Sequence, residues 1–268
     1  MRVRIQDLLR RLHLLGVAEN LRYHWKRWAL RERNRAFIRQ NSGFALPPEY
    51  LAFDAYSAPD WTFYKSSGEG TARFLWETAT TYLPVRHNIE SVYEWGCGPG
   101  RVVRHLPSHF GSLVEVHASD YNPETIEWCR RSLPRIRFAL NELNPPLAYP
   151  DNTFDFIYSI SVFTHLAEAT GLAWANELHR VLKPNGILLI TTSGNNSYEK
   201  EMLEQEKQKY NGHGVVIRGN YEEGKKMYLA RHSPRYVKEN LLRQFQILYH
   251  APAGFPFIQQ DYWIARRR

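Results

Sequence analysis

The chain of 268 residues is 43% hydrophobic and 23% charged, and its 35 Lys and Arg exceed its 27 Asp and Glu by eight. This length accommodates one α/β domain with decorations and excludes two full domains joined by a linker. No run approaches the ~18 apolar residues that cross a bilayer. The leucines of residues 1–17 are interrupted by Arg10, Arg11 and His13, unlike a secretory signal. Cys97 and Cys129 have no partners at metal-ligand spacing. The expectation is a cytoplasmic protein without a metal.

The charge is concentrated at one end. Residues 1–41 carry eleven Lys or Arg against Asp7, Glu19 and Glu32, so this arm accounts for the whole excess and the remainder is formally neutral. A basic arm on a neutral body points to an anionic partner at the arm. Ile5, Leu8, Leu9, Leu12 and Leu15 recur at helical spacing, and Leu21, Trp25, Trp28 and Ala29 continue the stripe after Gly16, with arginines on the other sides. Such a helix suits an anionic membrane surface, here the inner face. The alternatives are packing on the protein's own core or on a second copy, and nucleic acid, which the leucine and tryptophan face disfavours. Residues 1–45 therefore read as a basic amphipathic arm, and 46–268 as the domain.

The chain breaks from Asn41-Ser42-Gly43 to Pro47-Pro48, is aromatic and irregular from Glu49 to Trp61, and then forms an amphipathic helix over Thr71–Tyr82. Ser91–Trp95 reads as a short buried strand, followed by Gly96, Gly98 and Gly100 at alternate positions and by a helix opening at Arg101. Glycines so spaced allow a tight turn and close approach to a ligand, which the amides of the following helix would face. Val114–Asp120 alternates like a second strand and ends on an acid 20 residues after Gly100, before Pro123-Glu124 opens a helix. Phe138–Leu140 is the third strand, and a long connection runs from Asn141 to Pro150. The fourth strand lies in Asn152–Ser161 and leads to His165; a helix, then Leu182-Lys183-Pro184-Asn185-Gly186, then a fifth strand follow. After Gly194 come a polar helix over Tyr198–Tyr210, glycines at 212, 214 and 219, a helix starting at Ser233-Pro234, and two last strands over 246–250 and 260–265.

The glycine turn does not fit the dinucleotide pattern G-x-G-x-x-G, because Arg101 and Val103 stand where its third glycine would be. Glu94 to Gly100 reads acidic-x-G-x-G-x-G. With the acid at Asp120, the fourth-strand segment and the Leu-x-Pro-x-Gly unit, four motifs in order over residues 89–194, it resembles the class I S-adenosylmethionine (SAM) dependent methyltransferases, in particular the type 11/12-like domain. The resemblance implies a Rossmann-like, mostly parallel seven-stranded sheet with helices on both faces, a core over 89–194 and a lid over 195–232 before the last helix and strands. It implies SAM as cofactor, held by Glu94, Gly96, Cys97, Gly98, Gly100, Asp120, Tyr121, Asn141, Glu142, Ser159 and Ser161, with Asp120 accepting from the ribose. It would put Cys97 and Cys129 on elements that lie apart. The pre-strand segment covers the cofactor in relatives, so Tyr64 and Ser67 are further candidates, with an N-cap and aromatic staple as the alternative. Asn144-Pro145-Pro146 imitates the signature of nucleic-acid amino-methylating enzymes but precedes the fourth strand, where that signature does not belong.

Methyl transfer from a sulfonium needs alignment above all, and a base when the acceptor arrives protonated. His165 and His232 are the candidate bases by topology, against helix capping as the structural role of His165. The function expected is methylation of a small molecule or glycan, at oxygen in preference to nitrogen. The alternatives are an RNA methyltransferase anchored by the arm, or a SAM-binding regulator without turnover.

Overall fold

A computed structural model describes residues 10, 12, 14–84, 88–198 and 202–268. Ile5, Leu8 and Leu9 of the apolar stripe lie outside the described residues. The helices are α1 (Leu15–Gln40), α2 (Glu49–Tyr56), α3 (Trp61–Tyr82), α4 (Leu106–Phe110), α5 (Pro123–Ser132), α6 (Glu168–Val181), α7 (Glu204–Gly212) and α8 (Pro234–Tyr236, continued by a π turn over Val237–Leu241). The strands are β1 (Ser91–Trp95), β2 (Glu115–Asp120), β3 (Arg137–Leu140), β4 (Phe154–Ser159), β5 (Leu182–Thr192), β6 (Val215–Arg218), β7 (Leu229–His232), β8 (Phe245–Ala251) and β9 (Asp261–Arg267).

Seven strands form one sheet in the order β3-β2-β1-β4-β5-β9-β8. The first five run parallel, and β9 is antiparallel to both β5 and β8. All five residues of β1 are buried, as a central parallel strand covered on both faces requires. Its side chains alternate between two cores. Val92 packs with Leu75, Leu106, Ile126 and Phe156 under α3, α4 and α5. Tyr93 and Trp95 pack with Ile157, Trp174, Leu178 and Leu241 under α6 and α8. This three-layer arrangement is the expected Rossmann-like fold, and it puts the carboxyl ends of β1, β2 and β4 side by side.

The segment before β1 is more helical than its aromatic composition suggests. Pro48 and Glu49 start α2, and Asp60 caps α3 by accepting from the Phe63 N–H at 3.0 Å, so α3 begins at Trp61, ten residues before Thr71. The aromatics that look irregular in sequence are packing residues: Trp61 and Tyr64 are buried with Phe37 of α1. The lid segment contains α7 and a two-stranded antiparallel ribbon, β6 with β7, and Ser233 caps α8 by accepting from the Tyr236 N–H.

Two glycines respond oppositely to a methyl group. Gly96 has φ +78, and a Cβ there would lie 2.2 Å from Val162 Cγ2; Gly171, inside α6, would gain ordinary contacts at 3.7 and 3.8 Å. Gly96→Ala is expected to cost more than the ~1–2 kcal/mol of the left-handed backbone alone, and Gly171→Ala to stabilise by roughly 0.5–1 kcal/mol. Urea unfolding of the two variants checks the signs.

Candidate active site

The turn after β1 is tied to the end of β2. The Gly96 and Cys97 N–H groups both donate to the Ser119 carbonyl at 2.9 Å, and the Gly98 N–H donates to Asp120 Oδ2 at 2.8 Å. Asp120 Oδ1 accepts from the Asn122 N–H, so each carboxylate oxygen keeps a lone pair for a ligand. Burial raises the Asp120 pKa above its usual value, while these backbone donors pull it down. Above the turn lies a cavity of ≈ 650 Å³. Its walls include Glu94, Gly96, Cys97, Gly98, Asp120, Tyr121, Asn141, Glu142, Ser161 and His165, which the strand order gathers from four separate stretches of sequence.

Glu94, at the floor, is 3% exposed, and its Oε2 makes no hydrogen bond of ordinary geometry. Burial pushes its carboxyl up to about 8, against the Tyr158 hydroxyl and the Arg101 guanidinium, which pull the other way. A buried carboxylate without a full set of partners is a site prepared for a cation or a donor. At the opposite end, Asn141 accepts from the Ser119 hydroxyl at 2.6 Å, and the Tyr121 hydroxyl donates to the Gly224 carbonyl at 3.1 Å, closing a loop of the lid over that side.

Residues 92–186 match the Methyltransferase domain family. That stretch is a methyltransferase domain of the class I S-adenosylmethionine-dependent type. It is 28% identical over 183 residues to an uncharacterized methyltransferase of Schizosaccharomyces pombe, covering 62% of this chain and 63% of that protein. It therefore spans less than two thirds of that relative's length. Among solved structures, a SAM-dependent methyltransferase of Mesorhizobium loti superposes with a TM-score of 0.56 at 17% identity, over 75% of this chain and 100% of that one. The 1,6-didemethyltoxoflavin-N1-methyltransferase of Burkholderia thailandensis gives 0.54 at 15% identity, over 81% and 85%. These two likenesses concern the fold.

The cofactor of this methyltransferase family is SAM, and the residues fit it. SAM carries an ammonium and a sulfonium, which suit the unsatisfied Glu94 carboxyl; a ribose diol, which suits Asp120 at the β2 tip; and an adenine, which Tyr121, Asn141 and Glu142 would border. Gly96, Cys97, Gly98 and Ser161 line the same space. Other expected residues do not. Tyr64 and Ser67 are buried behind the turn: the Tyr64 hydroxyl donates to the Pro99 carbonyl at 2.6 Å, and Ser67 accepts from Arg101 at 3.0 Å, so both brace the loop from outside. Ser159 is fully buried in the sheet, and Gly100 faces Leu133 at the C-terminal end of α5, not the cavity. Cys97 and Cys129 are close: Cys129 Sγ lies 3.6 Å from the Gly98 carbonyl oxygen, and burial, with the neighbouring Cys129 thiol adding to it, pushes the Cys97 thiol well up. Both are free, and α5 packing directly under the turn is what brings them together.

Of the two histidines, His165 lines the cavity and His232 does not. His165 Nδ1 lies 2.8 Å from the Tyr228 carbonyl oxygen, which fixes the proton on Nδ1 and leaves Nε2 as the basic nitrogen. Burial lowers its pKa, so the ring is neutral at pH 7. His232, 3% exposed at the end of β7, is packed against Tyr236, and burial depresses its pKa to about 4. The far wall consists of residues that no motif announced: Ser193 and Asn196 after β5, Arg231 on β7, Phe257, Gln259 and Gln260 before β9, and Phe63 on α3. The glycine and proline breaks around residues 252–256 mark a loop but say nothing of where it folds. Among the described residues, no group of three or more His, Cys, Asp or Glu is arranged to hold a metal.

Because the Glu94 carboxyl holds its proton up to about pH 8, facing a cation requires losing that proton. SAM affinity is expected to rise with pH from 6 to about 8, by at most about tenfold per pH unit, and Glu94→Gln to remove that slope. Calorimetric titrations across this range give the answer; the same slope in the variant would show that another group is responsible.

Proposed function

We propose that this methyltransferase transfers a methyl group from SAM to a hydroxyl oxygen of a small-molecule or glycan acceptor. The observation that carries the reading is His165, a neutral imidazole on the cavity wall whose Nδ1 is held by a backbone carbonyl. An alcohol arrives protonated, and a fixed Nε2 lone pair is what its deprotonation needs. The acceptor side of the cavity supports the same class. Ser161 donates to Gln260 Oε1 at 3.0 Å and Thr191 donates to the same oxygen at 2.7 Å, so the Gln260 amide is oriented by two hydroxyls. With Ser193, Asn196 and Gln259 it lines one wall with hydroxyl and amide groups. Phe63 and Phe257 of the same wall meet edge to face at 6.4 Å, an apolar edge of the sort that packs on a sugar or small ring.

When bound, SAM supplies an electrophilic methyl with a neutral sulfide as leaving group. Glu94 and Asp120 would hold it by its ammonium and ribose. The acceptor hydroxyl would lie between the polar wall and His165, its proton passing to Nε2 as the oxygen takes the methyl. Alignment contributes most of the acceleration, and the closed lid keeps water out of competition.

The test is incubation of the purified protein with methyl-labelled SAM and fractionated cell extract. Label in glycan or hydroxylated small molecules is expected; label in RNA would overturn the acceptor reading. With an acceptor in hand, His165→Ala should lower kcat by about 10²-fold with SAM affinity nearly unchanged. Wild-type kcat should rise through a pKa below 6.5 and stay level at neutral pH, since only the neutral ring accepts a proton. Equal losses of binding and turnover would assign His165 to structure.

A further inference from the structure

We infer that the outward face of α1 is a docking surface for an anionic lipid bilayer. The helix has two apolar sides. On the inner one, Asn34 and Phe37 are buried: the Asn34 amide donates to the Pro59 carbonyl at 2.6 Å and its Oδ1 accepts from the Trp61 N–H, while Phe37 packs with Ala52, Trp61 and Tyr64. On the outer one, Leu14, Val17, Leu21, Trp25 and Trp28 are 44%, 58%, 66%, 58% and 62% exposed. At about 100° per residue these five fall within an arc of roughly 80°, on the side opposite Asn34, over a length of about 20 Å. Single exposed leucines are ordinary, but two tryptophans and three aliphatic side chains in one unbroken stripe are not.

The flanks of the stripe identify the occupant. The segment Leu15–Gln40 carries Arg22, Lys26, Arg27, Arg31, Arg33, Arg35 and Arg39 against Glu19 and Glu32. Lys26 lies 5.3 Å from the Trp25 ring and Arg31 5.1 Å from the Trp28 ring, so cations border the indoles at the stripe's edge. Arg27 and Arg33 pair with Glu49 and Asp60 of the protein's own body, and a second copy of this face would set the other basic residues of the helix against their like. RNA would satisfy the charge and leave the leucines and tryptophans in water. An anionic bilayer satisfies both, with the indoles at the headgroup level and the basic side chains on the phosphates. No helix among the described residues is long and apolar enough to cross a membrane, so the contact is peripheral.

The helix is also fastened to the rim of the cavity. Glu19 pairs with Lys226, a cavity-lining residue, at 3.0 Å, and Arg10, five residues before the helix, donates to the Met227 carbonyl at 2.9 Å. A docked α1 would therefore hold the lid edge of the active site against the bilayer.

The experiment is sedimentation of the full chain with vesicles of phosphatidylcholine alone and of phosphatidylcholine containing phosphatidylglycerol, at about 0.1 and 0.5 M salt. Co-sedimentation is expected with the anionic vesicles only, and to weaken at the higher salt. The variant Leu21→Gln, Trp25→Gln, Trp28→Gln should bind at least about tenfold more weakly while its SAM affinity and thermal unfolding stay as in the wild type, since all three side chains are exposed. Failure of the wild type to bind anionic vesicles, or undiminished binding by the variant, overturns the inference. So does light scattering that shows a dimer lost in the variant, or retardation of tRNA that depends on the same three residues.

Discussion

Two backbone N–H groups on one carbonyl, and a third on a carboxylate, hold the turn after β1 to the end of β2. The rest of the cavity depends on this junction. It sets the height of Glu94 relative to Asp120. It also forces the backbone through three positive-φ glycines, which brings α5 and Val162 against the turn from either side. Arg101, Ser67 and Tyr64 are then recruited as a brace behind it. A turn with side chains in those positions could not lie so close to both neighbours, and the floor of the site would be elsewhere.

Burying Glu94 has an energetic consequence for the apo protein. Between its usual 4.5 and about 8 the folded carboxyl keeps a proton that the unfolded chain gives up, so folding loses stability as the pH rises through that window. A cation bound against Glu94 would offset this cost. Stability withheld at the floor of a cavity would then be recovered on ligand binding, linking the affinity of the site to the stability of the fold.

The parts of this architecture legible in sequence are those whose chemistry is local. The glycine turn, the alternating β2 with its terminal acid and the cap at Ser233 each have a reason within a few residues of themselves, and each stands where the pattern put it. What escaped depends on tertiary contact. Tyr64 and Ser67 precede the first strand as cofactor-covering residues do, yet which side of the turn α3 occupies is decided by the docking of Phe37 and Trp61. His165 and His232 look alike as histidines at element ends; burial inside the packing of α8 separates one from the cavity that the other lines. Gln259 and Gln260 carry no motif because their position is a property of the β8–β9 loop, which reaches the site only by virtue of the reversed last strands. The cysteines fail as a sequence inference for the same reason: 32 positions apart, they meet through the packing of α5 on the turn.

The loop between β6 and β7 is joined to His165 by two bonds. The Gly224 N–H donates to the His165 carbonyl at 2.9 Å, and the Tyr228 carbonyl oxygen lies 2.8 Å from His165 Nδ1. Were that loop to move away, the carbonyl that fixes the imidazole proton would go with it, and the ring would be free to turn over or change tautomer. The lone pair on Nε2 is therefore fixed by a contact from the lid and not by the segment that carries the histidine.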